Sequence, residues 1–342
     1  MKKLLAVFMA AMMVFGIAGC SSQTGAPAQT GGAGGEVSPP SDGAAVDAEE
    51  LTFVIIPKCV HEWFEAVNYG AREEAKALSE KLGIQIKIDY RAPSTAEITE
   101  QNSVLEQVAA TKPDGIAIDP IDYEGSKQII EEIQDQGIPV VLFDSAVEGS
   151  GLTAVGNDFA EQAELEAKKL AQLLGEKGKV ALMHGVTTAP NHSERYETFK
   201  EVLADYPGIE VIDGGISQDN IETAQQQAAA TIAANPDLDG YLCVDASGPI
   251  GIAAAIEEAG RQGEITFVGA ENLLQILEYV KSGTIACSYS TKPQMQGALS
   301  VMVLIHAYLG EEMPAFVDTG ILYIDQDNVD DWIAIAKNTA SE

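Results

Sequence analysis

Four acidic residues follow short apolar runs of the sequence, at positions where a buried strand would end. They are Asp119, Asp144, Asp245 and Glu271. A carboxylate at such a position is costly unless a hydrogen-bond donor meets it, and the vicinal hydroxyl groups of a polyol are suitable donors. Each residue taken singly is equally well explained as a helix N-cap or a solvated loop charge, since the chain holds 52 acidic residues. Their shared placement favours a site for hydroxyl-rich molecules.

Donors and aromatic rings occur in the same kind of position. Arg195 offers a planar fork of N–H donors to hydroxyl or ring oxygens. Trp63 and Phe64 offer flat apolar faces to the CH side of a sugar ring. Two neighbours have two interpretations each: Lys58 donates to a ligand or pairs with an acid, and His61 bonds a ligand or shapes the turn before the next helix. Acids, a guanidinium group and aromatic rings together describe a polyol site.

Catalytic and metal-binding motifs were considered as the alternative. The sequence has no GxSxG, HExxH or GxxxxGK[ST] motif, and no GxGxxG between a strand and a helix. His184 and His192 lack further partners at metal-ligand spacing. Paired carboxylates also suit a secreted glycoside hydrolase, because an acid-rich cleft does not by itself distinguish holding a sugar from cutting one. The sequence therefore favours a binding protein over an enzyme.

Alternating strands and helices must position these residues. From Leu51 onward, short apolar runs alternate with amphipathic stretches, which is typical of a parallel sheet covered by helices on both faces. The predicted strands are Leu51–Ile56, Ile84–Tyr90, Gly115–Ile118, Pro139–Phe143, Thr153–Val155, Val180–Met183, Ile209–Ile212, Tyr241–Val244, Thr266–Val268 and Ile285–Tyr289. The predicted helices are Phe64–Leu82, Ile98–Ala110, Ser126–Gln136, Ala160–Leu174, Arg195–Ala204, Ile221–Ala234, Ile250–Ala259, Leu273–Val280 and Gln294–Leu309. Ten strands exceed one compact lobe, so we expect a doubly wound α/β fold with two sheets.

This architecture predicts where the site and the core lie. Residues that follow the strands converge on one crevice, because ligands of open parallel sheets bind beyond the carboxyl ends of the strands. Cys243 and Cys287 lie in strand-like runs and are expected to be buried, and no CxxC spacing is present. Trp332 and an apolar stripe on the last predicted helix are also expected in the core. That stripe consists of Met295, Leu299 and Met302.

The charge of the chain excludes one class of partner. Acidic residues outnumber basic ones 52 to 20, which gives a formal net charge of −32. A polyanion such as DNA or RNA is repelled by such a surface, so nucleic-acid binding is not expected.

The N-terminus has the pattern of an exported lipoprotein. Met1-Lys2-Lys3 and a short apolar run form a signal peptide over residues 1–19, too short for a durable membrane span. Ile17-Ala18-Gly19-Cys20 resembles the bacterial lipobox, which predicts cleavage before Cys20 and lipidation of its thiol. Residues 20–49 consist mainly of Gly, Ser, Ala, Pro and Thr and are predicted to be a flexible linker. We therefore expect a lipid-anchored protein on the outer face of the cytoplasmic membrane.

Several motifs in order resemble the sugar-binding proteins of the ribose-binding type, the type I solute receptors of ABC importers. After the lipobox and linker they are Val54-Ile55-Ile56-Pro57-Lys58, His61-Glu62-Trp63-Phe64, Gly70-Ala71, Pro113-Asp114-Gly115-Ile116, Asp119-Pro120, Gly137-Ile138-Pro139-Val140-Val141 before Asp144, Ser193-Glu194-Arg195 with Phe199, Asn235 to Gly240 before Asp245, Val268-Gly269 before Glu271, and Pro293 with Gly297. The resemblance covers essentially the whole chain after the signal. Its specificity comes from the order and spacing of the pieces.

The resemblance implies two Rossmann-like lobes joined by three crossovers that close over a ligand by a hinge motion. The N-terminal lobe would comprise residues 50–156 and 292–320, and the C-terminal lobe residues 157–291 and 321–342. The implied partners are a monosaccharide or polyol and an ABC transporter permease. The implied protein is a monomer without catalytic residues, cofactor or metal. A ligand that contacts both lobes favours the closed state.

The same resemblance assigns roles to single residues. Trp63 and Phe64 would stack on the sugar ring, and Thr291 would lie near a hinge. Asp119 and Asp144 would accept hydroxyls from the first lobe, and Arg195, Asp245 and Glu271 would bind from the second, with Lys58 and His61 completing the ligand-binding set.

The sequence also departs from the ribose pattern, which commonly has Asn at the positions of Asp119 and Asp245, Asp at that of Glu271 and Arg at that of Ser145. The ligand is therefore expected to differ from ribose. The alternatives are a receptor for a furanose signal of the autoinducer-2 type and a sensor that feeds a histidine kinase or chemoreceptor.

Overall fold

The computed structural model describes residues 48–339, in which strands and helices alternate along the chain. The twelve strands of this part are β1 Glu50–Ile56, β2 Gln85–Tyr90, β3 Gly115–Ile118, β4 Val140–Phe143, β5 Ala154–Gly156, β6 Lys177–His184, β7 Gly208–Ile216, β8 Gly240–Cys243, β9 Thr266–Ala270, β10 Cys287–Ser290, β11 Phe316–Asp318 and β12 Leu322–Ile324. Its ten helices are α1 Glu62–Leu82, α2 Ile98–Thr111, α3 Tyr123–Asp135, α4 Phe159–Leu173, α5 Pro190–Ala204, α6 Ile221–Ala234, α7 Gly248–Glu258, α8 Leu274–Ser282, α9 Pro293–Tyr308 and α10 Val329–Thr339.

The strands form two six-stranded sheets with the same winding order. The first sheet runs β2-β1-β3-β4-β5-β11, and the second runs β7-β6-β8-β9-β10-β12. All neighbours pair in parallel except β10 and β12, which are antiparallel. Strands β1, β3 and β4 of the first sheet therefore correspond to β6, β8 and β9 of the second. The predicted doubly wound α/β class is confirmed, with one lobe built on each sheet.

Each sheet has its own apolar core. The central strands β3 and β4 are buried along their whole length, as expected for parallel strands covered on both faces. One core cluster joins these strands to α2 and α3, and a second joins β6 and β8 to α4 and α5. Cys243 and Cys287 are buried, as predicted. Both are free thiols, and so is the buried Cys59. No helix within residues 48–339 has the length and apolar character needed to cross a bilayer.

Helix α1 shows how local sequence fixes an element next to the cleft. His61 has an extended backbone, and its side chain accepts a hydrogen bond from the Trp63 amide, which caps the first turn. Gly83 ends the helix in the left-handed conformation, with φ of 71°. The apolar residues Phe64, Val67, Ala71 and Ala75 recur at three- and four-residue steps on α1 and are buried. The turn role considered for His61 is thus realised.

Three short segments carry the chain between the two sheets. They are residues 157–158 after β5, 291–292 after β10 and 319–321 between β11 and β12. Thr319 donates from its amide and its hydroxyl to the carbonyl oxygen of Gly156, at 2.6 and 2.9 Å. Lys292 Nζ donates to the carbonyl oxygen of Thr319 at 2.7 Å. The third crossover is therefore hydrogen-bonded to the end of β5, directly before the first crossover, and to the second crossover.

Several elements differ from the sequence expectations. The sequence analysis did not predict strands β11 and β12, because three-residue strands at sheet edges give no readable periodicity. It did not predict helix α10 either. The assignment of Met295 to the core is wrong, since its side chain is 46% exposed. Leu299, Met302 and Trp332 are half-buried instead of buried. The signal peptide, Cys20 and the linker up to residue 47 lie outside the described residues.

Candidate functional site

The carboxyl ends of the strands in the two sheets face each other across a narrow cleft. Its lining residues come from both lobes: Lys58, His61, Trp63, Phe64, Asp144, Asn191, His192, Arg195, Asp219, Asp245, Ala246 and Glu271. The cavity between them has a volume of about 20 Å³, which is room for about one water molecule. A monosaccharide therefore enters only if the lobes move apart.

Two carboxylates hold equivalent positions in the two lobes. Asp144 directly follows β4, and Glu271 directly follows β9, the corresponding strand of the second sheet. Both have positive φ, 57° for Asp144 and 70° for Glu271. The left-handed conformation is unfavourable for residues with a Cβ and is concentrated at functional sites. The fold thus turns one carboxylate from each lobe sharply into the cleft.

Lys58 is the central cation on the side of the first lobe. It is fully buried, and its Nζ lies 3.3 Å from Asp119 Oδ2 and 3.6 Å from Asp144 Oδ2. Across the cleft it lies 3.3 Å from Asn191 Oδ1 and 3.4 Å from His192 Nε2. Burial alone lowers the pKa of Lys58, but Asp119 and Asp144 outweigh it and raise this pKa above its ordinary value. The group stays an ammonium ion, and the ion-pair interpretation of Lys58 holds in this conformation.

Asp119 lies behind Lys58 and is completely buried. Among residues 48–339, no donor makes a well-formed hydrogen bond to either of its carboxyl oxygens. Burial, followed by the nearby Asp144, raises the pKa of Asp119 to about 7 against the lowering effect of Lys58. Asp119 therefore retains acceptor capacity directly behind the cleft.

Arg195 organises the side of the second lobe. Its guanidinium donates to the carbonyl of Val244 at 2.9 Å, to Gln162 Oε1 at 2.9 Å and to Glu271 Oε1 at 3.1 Å. The group also stacks on the Phe159 ring, 4.3 Å from its centroid. Its Nε has no partner among the described residues. Arg195 therefore holds Glu271 in place, and its Nε–H remains available as a donor to a ligand.

Glu271 connects the second lobe to the aromatic pair of the first. Its Oε2 accepts hydrogen bonds from Trp63 Nε1 at 2.9 Å and from Thr291 Oγ1 at 2.5 Å. Trp63 and Phe64 meet edge to face, with centroids 5.1 Å apart. Burial raises the pKa of Glu271 in spite of Arg195. Thr291, next to a crossover, thus supports the site through Glu271 and Trp63.

Asp245 closes the far end of the cleft. It accepts a hydrogen bond from the Gly248 amide at 2.6 Å, at the start of α7, and another from the Ser217 hydroxyl. Burial and the neighbouring Asp219 raise its pKa to about 7. His61 Nε2 reaches the Ser247 hydroxyl across the cleft at 3.1 Å. This end of the site is rich in acceptors.

The structure brings the ten residues predicted from the sequence to one place. Eight line the cavity, Asp119 lies directly behind Lys58, and Thr291 supports Glu271. Three residues of the cavity lining, Asn191, His192 and Asp219, were not among the predicted ligand-binding residues. Asn191 and His192 follow β6, and Asp219 follows β7, at the same edge of the sheet. Asn191 Nδ2 donates to Asp144 Oδ2 at 2.5 Å from the opposite lobe. Their position after a strand was the available signal, but their residue types did not distinguish them.

The chemistry of the site is that of hydrogen bonding. Its carboxylates accept from hydroxyl groups, while the Lys58 ammonium and the Arg195 guanidinium donate to hydroxyl or ring oxygens. Within residues 48–339, no group of three or more His, Cys, Asp or Glu side chains is placed to hold a metal ion. The arrangement suits a small, neutral, hydroxyl-rich molecule held from two sides.

Comparison with known proteins agrees with this geometry. A D-ribose/D-allose-binding protein from Pseudomonas aeruginosa is 23% identical over 75% of this chain and 82% of its own length. A solute-binding protein from Agrobacterium vitis with bound D-fucose is 26% identical, with a TM-score of 0.78 over 84% of this chain and 99% of that one. A solute-binding protein from Burkholderia graminis in complex with D-arabinose is also 26% identical, with a TM-score of 0.76 over 82% and 97% of the two chains.

A family model also matches most of the chain. Residues 52–312 match the family described as periplasmic binding protein domain. Its members are extracytoplasmic. Of the relatives above, the first is a sugar-binding protein and the other two are solute-binding proteins of ABC transporters; none is an enzyme. The resemblance inferred from the sequence motifs is thereby confirmed, and the chain belongs to the periplasmic binding protein domain family, with the type I two-lobe fold.

Proposed function

We propose that this protein is a lipid-anchored receptor that captures a monosaccharide or related polyol between its two lobes and delivers it to an ABC importer. The observation that carries the proposal is the cleft itself, in which hydrogen-bonding groups of both lobes face one cavity. A ligand held in this way stabilises the closed form, which a permease can then distinguish from the open one. The anchor would be the lipidated Cys20, and the linker would be residues 20–49.

The lobe boundaries proposed from the sequence are residues 50–156 with 292–320 and residues 157–291 with 321–342. Sheet membership supports this division, since β1 to β5 and β11 form the first sheet and the remaining strands form the second. The packing of α9 on α1 and of α10 on α8 supports it as well. The crossovers would be the hinge, and a monomer is sufficient because both sides of the cleft belong to one chain.

The ligand class is a neutral pentose, deoxyhexose or similar polyol. The relatives with bound D-fucose and D-arabinose support this range. Trp63 and Phe64 would stack on the ring, Asp144, Asp119 and Asp245 would accept from its hydroxyls, and Lys58 and Arg195 would donate to its oxygens. An anionic sugar is disfavoured, because carboxylates outnumber cations around the cavity.

Isothermal titration calorimetry tests the proposal. The protein is titrated with pentoses, 6-deoxyhexoses, inositols and autoinducer-2, and at least one of them is expected to bind saturably. Asp144→Asn removes a charged acceptor and is expected to weaken that binding by about tenfold to a hundredfold. Asp205→Asn, at an exposed acid directly after the end of α5, is the matched control and is expected to leave the affinity unchanged. No heat with any member of the panel, or equal affinity in Asp144→Asn, contradicts the proposal.

A further inference from the structure

A second concave surface lies outside the cleft, between α1 and α9 of the first lobe and α8 and α10 of the second. We call it the lateral groove, and its volume is about 1210 Å³. Its apolar floor is formed by Met295, Leu299, Met302, Trp332 and Leu273. These include the side chains that the sequence pattern had assigned to the core. Apolar side chains left half-buried in a large concave surface mark a site of interaction.

The charges of the lateral groove lie on one side. Among its lining residues are four glutamates of α1, namely Glu62, Glu65, Glu73 and Glu74. The single lysine of the lining, Lys292, already donates to the carbonyl of Thr319 at 2.7 Å. The α1 rim therefore carries two pairs of acidic residues, Glu62 with Glu65 and Glu73 with Glu74. A molecule that binds here needs an apolar face and positive charge on the edge that meets α1.

Two occupants from this protein itself fit poorly. A second copy would bring a formal net charge of −32 against an acidic rim. The sequence from residue 20 to residue 47 contains no Lys or Arg, and its only large apolar side chains are Val37 and Val46. It offers neither the positive charge nor the apolar area that the groove requires. Residues 1–19 do contain Lys2, Lys3 and an apolar run, but they are expected to be removed with the signal peptide. We therefore expect the occupant to be a different molecule.

We propose that the lateral groove binds an amphipathic helix of a partner protein, with its apolar face on the Met295 to Trp332 floor and Lys or Arg residues along the α1 rim. The rim from Glu62 to Ala77 is about 23 Å long at 1.5 Å per residue, which matches a helix of about four turns. Grooves of this kind take helices through anchors at i, i+3, i+4 and i+7. Methionines such as Met295 and Met302 adapt their shape to such anchors.

The position of the groove connects it to the cleft. Glu62 of the rim adjoins Trp63 of the cleft, and Asn272 of the groove directly follows Glu271. Since one wall belongs to each lobe and Lys292 of the lining belongs to a crossover, rotation of the lobes changes the width of the groove. A helix bound there therefore responds to closure of the cleft. This inference goes beyond the proposed function, since it assigns a second binding surface.

Fluorescence anisotropy with two labelled peptides of about 18 residues tests the inference. Both peptides carry the same leucine face, and they differ only in an edge of lysines or an edge of glutamates. The folded full chain is expected to bind the lysine-edged peptide at least about tenfold more tightly. The double variant Glu73→Lys with Glu74→Lys leaves two glutamates and two lysines on the rim and is expected to abolish this preference. Met295→Gln is expected to weaken both peptides about tenfold, because it removes apolar area from the floor.

The controls separate this inference from the sugar site. Glu131→Lys with Glu132→Lys, an exposed acidic pair on α3, is expected to leave peptide preference unchanged. The groove variants are expected to bind sugar with wild-type affinity. Loss of peptide binding can therefore be distinguished from loss of sugar binding. Equal binding of both peptides by the wild-type chain, or no effect of Met295→Gln, overturns the inference. Two further outcomes overturn the inference. One is peptide binding that appears only after residues 1–19 are removed, which would show that this segment occupies the groove. The other is a dimer in analytical ultracentrifugation that Met295→Gln dissociates, which would show that a second copy occupies it.

Discussion

At the scale of single residues, a buried acid beneath the cleft supports the arginine that organises the second lobe. Glu166 of α4 is completely buried, and its Oε1 accepts from Gln162 Nε2 at 2.9 Å. Gln162 in turn accepts from Arg195, which holds Glu271. The other oxygen of Glu166 has no partner among the described residues. Burial, opposed in part by Arg195, raises the pKa of Glu166 from an ordinary 4.5 to about 8.

This raised pKa predicts how stability depends on pH. The folded chain keeps the Glu166 proton up to about pH 8, whereas the unfolded chain releases it near pH 4.5. The folded state therefore binds more protons in this window, and the contribution of Glu166 to stability falls as pH rises through it. Glu166→Gln keeps the acceptor for Gln162 but removes the ionisation. Its free energy of unfolding relative to wild type is expected to increase between pH 5 and pH 9 by a few kcal/mol.

Urea denaturation at several pH values measures this effect. Glu161→Gln, at an exposed position of the same helix, is the matched control, because its carboxyl group already stands in water. If the difference in free energy of unfolding between Glu166→Gln and wild type stays constant from pH 5 to pH 9, the buried carboxyl group does not hold its proton.

At the scale of elements, the contact between α1 and α9 sets the geometry of the first lobe. A Cβ at Gly70 would lie 1.9 Å from the Gln294 carbonyl oxygen, and one at Gly297 would lie 1.9 Å from the Val67 carbonyl oxygen. The two glycines therefore let the helix backbones touch. Helix α1 begins at the cleft with Trp63 and Phe64, and α9 begins just after Thr291. Close packing of these helices fixes the aromatic pair relative to the crossover.

Gly297→Ala is expected to lower the free energy of unfolding by about 1–3 kcal/mol, because the added methyl group meets backbone that cannot yield. Gly125→Ala on α3 is the matched control. Its added methyl group would meet the Ile98 Cδ1 atom, the movable end of a side chain, so a smaller loss is expected. Urea denaturation compares the two variants, and an equal or smaller loss in Gly297→Ala would refute the backbone contact.

At the scale of the whole molecule, the two lobes meet through polar and apolar contacts across the cleft. Asn191 bonds Asp144 from the opposite lobe. Ile121 of the first lobe packs against Val186 and Ala189 of the second. With a cavity of about 20 Å³ between the lobes, a ligand of sugar size has no path into the closed form. Uptake and release therefore require the lobes to move apart, and the proposed hinge for this motion is the set of crossovers.

Small-angle X-ray scattering tests this motion. The radius of gyration is expected to fall when a ligand identified by calorimetry saturates the protein, because binding shifts the population toward the closed form. Arg195→Ala removes a group that holds the second side of the cleft and is expected to abolish the contraction at the same sugar concentration. An identical radius of gyration with and without saturating ligand contradicts a hinge-closing receptor.

The sequence by itself determined the class of fold and most of the site. Alternating apolar and amphipathic stretches predict parallel strands and helices, because burial on both faces of a sheet demands that pattern. Residues such as Asp119, Asp144 and Glu271 could be selected because every parallel strand delivers its next residue to the same edge. These inferences depend on local periodicity and polarity, which a single chain displays.

Tertiary structure alone decided which side chains meet across the lobes. The contacts of Lys58 with Asn191 and of Trp63 with Glu271 join residues far apart in sequence, and no local pattern encodes their distance. The exposure of Met295 could likewise not be predicted from helical periodicity, because an apolar stripe has the same sequence pattern whether it faces a core or a groove. Both outcomes depend on how two separately folded lobes are oriented, which is a property of long-range packing.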